Sequence, residues 1–217
     1  MQIQIRNRPS FANLLVQLAR GDRIVAESDA MASMSSTISL QTRWNGGFLR
    51  ALLRRVFGGE SLFLNEFSTA SHGELVLSQP FPGDIECLEL RGNGLYLQPG
   101  AFLACDPEVT LGLGYAGFAS FMAREGLFRL KVQGGGRVWF GAYGGILAKD
   151  IDGEYVVDSG HLVAYEPSIQ LRLGMAGSVF SSVLGGEGLV LRMRGQGRIY
   201  LQTRSMTGLA AWVNRHL

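Results

Sequence analysis

Gly92 to Leu111 reads GNGLYLQPGAFLACDPEVTL. A glycine turn leads into a three-residue apolar strand, Leu95 to Leu97, and a tight turn follows at Gly100. A second apolar stretch begins at Phe102 and breaks at Pro107, after which Val109 and Leu111 alternate with polar neighbours. Short alternating strands punctuated by glycine signal an all-β sandwich or barrel rather than helices. The same order of parts occurs upstream in GDRIVAESDAMASMSSTISL (Gly21 to Leu40) and downstream in DGEYVVDSGHLVAYEPSIQL (Asp152 to Leu171). Self-similarity on this scale marks a repeat architecture. The short strands Ile24 to Ala26 and Tyr155 to Val157 match Leu95 to Leu97, and Asp29 and Gly160 stand where Gly100 does. Glycine suits a turn that needs positive φ and Asp tolerates that region, so the exchange is physically coherent.

Working outward, the second half of each copy recurs as well. GGESLFLNEF from Gly58, REGLFRLKV from Arg124 and GGEGLVLRM from Gly185 are each followed by a glycine break and one more strand: GELVL (Gly73), GRVWF (Gly136) and GRIYL (Gly197). The chain divides into three units, approximately 11–80, 81–143 and 144–205, plus a tail at 206–217. Each unit is small for independent folding, so residues 1–217 are expected to form one domain. The expected fold is all-β: three tandem β-units around a pseudo-threefold axis, of short double-stranded β-helix or β-prism type. Short helical inserts and a C-terminal helix over Met206 to Leu217, with Leu209, Trp212 and Val213 on one side, complete the expectation.

The inserts separate the halves of the units. In FLRALLRRVF, from Phe48 to Phe57, the residues Phe48, Leu49, Leu52, Leu53, Val56 and Phe57 share one helical face, with Arg50, Arg54 and Arg55 opposite. The other two, GFASFMA (Gly117 to Ala123) and GSVFSSVLGG (Gly177 to Gly186), are apolar and uncharged. Phe118, Phe121 and Met122 in one, and Val179, Phe180, Val183 and Leu184 in the other, stand at equivalent points. A combined apolar patch of this kind marks an interface; the competing reading is that each insert caps the core of its own unit. Arg50, Arg54 and Arg55 add a candidate contact for an anionic surface, giving weak membrane anchoring at best.

Composition bounds the rest. Thirty glycines against 6 prolines, with no G-X-Y period, exclude collagen and linker sequence, and 47% hydrophobic residues exclude disorder. The repeated turns account for the glycines. Eighteen of the 20 basic residues are arginine, only Lys131 and Lys149 being lysine, yet the formal net charge is just +2. That is too small an excess to point to nucleic acid. The start, MQIQIRNRPS, shows no apolar signal region, and the longest uncharged windows fall short of the roughly 18 to 20 residues of a membrane span. A cytoplasmic location, with peripheral membrane contact as its only extension, is the expectation. Cys87 and Cys105 lack metal or redox spacing and are expected as buried thiols.

Motifs with chemical content are weak. Gly112-Leu113-Gly114-Tyr115-Ala116-Gly117 matches GxGxxG but lacks the later acidic residue of a dinucleotide site, and Arg172 to Gly177 repeats its spacing without the first glycine. His72, His161 and His216 occupy unrelated places, His161 on an inner strand of its unit. Asp84/Glu86 and Asp150/Asp152 read as solvated carboxylates. No catalytic or metal-ligating residue and no cofactor is assigned. Gly136-Arg137-Val138-Trp139-Phe140 and Gly197-Arg198-Ile199-Tyr200-Leu201, with Arg192 and Arg194 nearby, pair cations with rings as nucleic-acid grooves do. A wet arginine face over a buried aromatic face explains them as well.

The GDRIVAESDAM opening and the GGESLF and GGEGLV junctions resemble the family named for altered inheritance of mitochondria, also called mitochondrial biogenesis proteins. The resemblance runs from about Asn13 to Ser205. It implies three β-units similar in fold to the tryptophan RNA-binding attenuation protein, a short double-stranded β-helix that assembles into rings. It carries no catalytic residues. The functional expectation is a non-enzymatic structural or protein-interaction module that self-associates as a homo-oligomer and presents its apolar inserts to a partner. The alternative is a nucleic-acid or small-ligand binding module using the arginine-aromatic strands. An enzyme with an unrecognised site comes third.

Overall fold

Glycine turns and alternating apolar residues break the chain into hairpins, and the computed structural model describes residues 1–43, 64–98, 100–115, 128–175 and 189–216. The strands in the first third are β1 (Gln2–Arg6), β2 (Asn13–Leu18), β3 (Arg23–Glu27), β4 (Met31–Met34), β5 (Ile38–Arg43), β6 (Leu64–Thr69) and β7 (Gly73–Ser78). Then come β8 (Gly83–Arg91), β9 (Leu95–Leu97), β10 (Phe102–Cys105), β11 (Thr110–Tyr115), β12 (Phe128–Gln133) and β13 (Gly135–Tyr143). Last are β14 (Ile146–Asp158), β15 (Leu162–Tyr165), β16 (Gln170–Met175) and β17 (Leu189–Gln202), followed by helix α1 (Met206–His216). The protein is all-β with the C-terminal helix the sequence leads one to expect. Ser205 starts that helix: its hydroxyl accepts the Gly208 N–H at 3.0 Å, satisfying one of the orphan amides of the first turn.

One pairing plan recurs along the chain. β2 pairs with β7, which also pairs with β4; β8 pairs with β13, which pairs with β10. The first half of β14 pairs with the second half of β17, which pairs with β15. Even the irregularity repeats, since the register slips between Met31 and Ser33, between Phe102 and Ala104, and between Leu162 and Ala164. The remaining strands form hairpins extended by one strand: β5–β6–β3, β11–β12–β9 and β16–β17–β14. Two links then join these halves. β3 takes β10 as its neighbour, giving a six-stranded sheet, and β9 takes β15, giving a seven-stranded one.

The core lies between these curled sheets. Ile24, Phe67, Leu75, Leu77 and Trp139 pack in one cluster, and Leu95, Leu97, Leu130, Val132, Val138 and Phe140 in another. Alternation supplies both, because residues two apart on a strand face the same way. Each such side chain removed from water contributes about 1.5–3 kcal/mol. The rings of Phe140 and Tyr200 meet edge to face at 5.1 Å, binding β13 to β17.

The turn expectation needs correction. Gly100 does adopt φ +80°, but Gly160 sits in a 3-10 turn (Ser159–His161) without left-handed φ, and Asp29 is not left-handed either. At Gly160 the Asp158 carboxylate accepts the Gly160 N–H at 2.8 Å and closes the turn by a side chain. Glycines that the backbone demands lie just before each short strand, Gly21 and Gly92 three residues ahead of Ile24 and Leu95, and Gly153 two residues ahead of Tyr155. Gly21, Gly92 and Gly153 have φ of +84°, +91° and +100°, values that strain any residue with a Cβ.

Candidate interaction surfaces

The three apolar inserts fall, in sequence, between the strands of corresponding antiparallel pairs. The last register pairs before them are Arg43 with Leu64, Tyr115 with Phe128, and Met175 with Leu189. The candidate interface residues Phe48, Leu52, Val56, Phe57, Phe118, Phe121, Met122, Val179, Phe180, Val183 and Leu184 lie outside the described residues, as do Arg50, Arg54 and Arg55.

Two strand edges stand out among the described residues. β3 and β9 are each covered by a neighbouring strand, whereas the matching stretch of β14, Tyr155 to Val157, pairs only with β17. Likewise β10 and β15 are flanked on both sides, whereas β4 pairs only with β7. Burial follows pairing. Phe102 and Cys105 on β10 are 2% and 1% exposed, but Met31 and Met34 at the same places on β4 are both 38% exposed. Val25 on β3 is 4% exposed and its counterpart Val156 is 47% exposed. Sequence reasoning missed these residues, because MASM and YVV look like any other half-buried strand until their neighbours are known.

The arginine strands resolve differently. Arg192, Arg194 and Arg198 share one face of β17 by alternation and are all exposed. Arg198 makes a bidentate pair with Asp150 at 2.7 and 2.9 Å, and Arg192 meets Glu154 at 2.7 Å. The Arg198 guanidinium holds the Asp150 carboxyl below its ordinary range. Arg137 belongs to another sheet, on β13, where it clamps Asp106 at 3.0 and 3.1 Å and lies 5.0 Å from the Trp139 ring centroid. The four arginines therefore do not share one face. Arg137 and Trp139 lie on the same side of their strand, with Trp139 buried, so no simple division into wet arginine face and dry aromatic face holds there.

A shallow depression of about 520 Å³ is lined by Asp150, Ile151, Asp152, Glu166, Gln196, Gly197 and Arg198. Its one cation is already paired with Asp150, and Glu166 accepts the Arg198 backbone N–H at 3.0 Å. Among the described residues no group of acidic, histidine and cysteine side chains has metal-site geometry. Asp84 and Glu86 are corrected from free carboxylates: Asp84 is buried and grips Arg8 at 2.8 and 3.0 Å, while Arg8 also reaches Glu86 at 3.2 Å. His161 is in the 3-10 turn rather than on a strand, and its Nδ1–H donates to the Gln202 carbonyl at 2.7 Å. Cys87 and Cys105 form no disulfide, and burial pushes the Cys87 thiol up to about 11. In the GxGxxG string, Gly112 and Gly114 lie on β11, which pairs antiparallel with β12, and a side chain at Gly114 would collide with the Tyr96 ring. Close packing explains that glycine.

These features define a class of protein: all-β, with curled sheets shared between successive stretches of chain and, among the described residues, two uncovered strand edges as its distinctive surfaces. The chain belongs to the family described as Mitochondrial biogenesis AIM24, which it matches over residues 3–204. It is 27% identical to an uncharacterised protein of Streptococcus pyogenes serotype M6, over 100% of this chain and 91% of that protein. It also resembles the X-ray crystal structure of a Streptococcus pyogenes protein, with TM-score 0.80, 26% identity, and coverage of 100% of this chain and 99% of the other. No helix among the described residues is long and apolar enough to cross a membrane.

Proposed function

We propose that this chain is a cytoplasmic, non-enzymatic structural or interaction module, built of three related β-units, that self-associates and holds its apolar inserts out to a protein partner. The observation that carries the reading is the common sequence position of the inserts: each falls between two strands paired in the same way, β5–β6, β11–β12 and β16–β17. Segments that connect strands commonly carry binding residues on a rigid scaffold. The paired state of Arg137, Arg192 and Arg198 favours this reading over nucleic-acid binding, because a phosphate would have to displace carboxylates already in place. Weak peripheral membrane contact through Arg50, Arg54 and Arg55 is the narrower version.

Light-scattering mass after gel filtration, on wild type and on the combined Phe48→Ser, Phe118→Ser and Phe180→Ser variant, tests the proposal. Wild type should run heavier than one chain. A folded monomer for both proteins overturns self-association. Liposome flotation of the same pair tests the membrane version: wild type floating and the variant sinking supports it, and equal failure to float removes it.

A further inference from the structure

We propose that copies of this chain join head to tail, with β4 of one copy adding antiparallel to the Tyr155–Val157 edge of β14 in the next. This rests on the self-association reading above and names the surface that performs it. The argument begins inside a single chain, where the same junction is already made twice. β10 lies on β3 with Ala104 opposite Ala26 and Cys105 opposite Val25. β15 lies on β9 with Ala164 opposite Leu97 and Tyr165 opposite Tyr96. Both internal junctions therefore have one register.

The two remaining edges are the missing halves of a third. By their pairing within the chain, Ser33 and Met34 on β4 correspond to Ala104 and Cys105, since Ser33 faces Val76 as Ala104 faces Trp139. Val156 and Val157 correspond to Val25 and Ala26, since Tyr155 faces Met193 as Ile24 faces Phe67. The internal register thus transfers directly and sets Ser33 opposite Val157 and Met34 opposite Val156. Joining the edges places β16–β17–β14 of one copy beside β4–β7–β2 of the next, which is the strand order of the six-stranded sheet. Side chains that are dry at the internal junctions and wet at the open ones would then be covered.

Two other stretches of edge, on β8 and the first half of β14, supply a further argument, although β11, reading Thr110-Leu111-Gly112-Leu113-Gly114-Tyr115 at the end of its sheet, does not share their charge. Exposed sheet edges are ordinarily protected by charge or proline, because unpaired backbone groups recruit further strands. β8 ends its sheet with Asp84, Glu86, Glu89 and Arg91, and the first half of β14 carries Lys149, Asp150 and Asp152. β4 has neither device: it reads Met31-Ala32-Ser33-Met34, and its complement reads Tyr155-Val156-Val157. The contact is between different surfaces of identical copies, so repetition gives a closed ring or an open filament rather than a two-fold dimer.

The test uses the full chain with Met34→Lys and, separately, Val156→Lys, each measured by light scattering across a concentration series, with circular dichroism as the check on folding. Wild type is expected to exceed the mass of one chain, and each variant to run as a folded monomer. Mixed in equal amounts, the two variants should stop at two chains, because the Met34→Lys copy keeps its β14 edge and the Val156→Lys copy keeps its β4 edge. Formation of that capped pair also shows that both variants are folded. Wild type that stays monomeric, single variants with wild-type mass, or a mixture that stays monomeric each overturn the proposal. The insert variant of the preceding subsection should retain wild-type mass. If it alone falls to monomer while the lysine variants do not, the inserts hold the copies together and the edges do not.

Discussion

The junction between β3 and β10 and the open pair formed by β4 and the Tyr155–Val157 stretch of β14 are built from corresponding strands, yet one is dry and the other wet. The comparison shows that burial here is decided by the neighbouring strand and not by the residue. Met34 has a larger apolar side chain than the cysteine at its matching place, and it is the one left in water. A strand of three or four residues has too few side chains to hold itself in place; its position depends on ladders on both sides.

The sharpest way to break the comparison is to truncate matching residues. Phe102→Ala at the closed junction should cost about 3–5 kcal/mol, whereas Met31→Ala should cost under about 1 kcal/mol in dilute, unassociated protein. Urea unfolding checks both, and equal costs at low concentration would remove the distinction between closed and open edges. Next in size, Tyr96 and Tyr165 stack across the β9–β15 junction with centroids 5.2 Å apart. Replacing Tyr165 with Leu should lose about 1 kcal/mol beyond the area removed, while Val156→Leu at the open edge should have no comparable effect in dilute protein. Native-state hydrogen exchange should then rank the strands, with amides in β10 and β15 protected and those of β4 on its unpaired side exchanging freely until copies associate.

A separate effect is alkaline. Burial raises the Cys87 thiol from 9.0 to about 11 and raises the Tyr165 phenol above its usual 10.0. Between the unfolded and folded values the unfolded chain has lost a proton that the folded chain keeps, so stability is intact below pH 9.0 and falls as pH climbs toward about 11. Cys87→Ser should flatten the first part of that decline, and Tyr165→Phe should flatten the part above pH 10.0, both followed by melting temperature.

Much of the fold was legible in the sequence because its informative signals are local. Leu95 to Leu97 alternates, Gly92 marks the turn before it, and the same signs occur near Gly21 and Gly153, so strands and hairpins follow from short-range chemistry. What escaped was long-range. Nothing about Ala26 indicates that its partner is Ala104, and nothing about MASM says that its outer side lacks one. Asp84 was misread for the same reason: its partner Arg8 stands 76 residues away in the chain. Alternation alone puts Arg192, Arg194 and Arg198 on one face of β17, but the pairing of Arg198 with Asp150 and of Arg192 with Glu154 depends on the β14 register.

The order in which strands pair has a consequence in time. During synthesis the edge of β3 is complete once residue 27 has emerged, but its cover, β10, begins only at residue 102; β9 waits in the same way from residue 97 until 162. At roughly 5–20 residues per second, each edge stands open for seconds on the ribosome. The two closed junctions of the finished molecule thus pass through the condition in which β4 and β14 remain. Neighbouring nascent chains meeting in that interval could trade β10 or β15 between them, so the rate of elongation, as well as the sequence, guards the identity of each sheet.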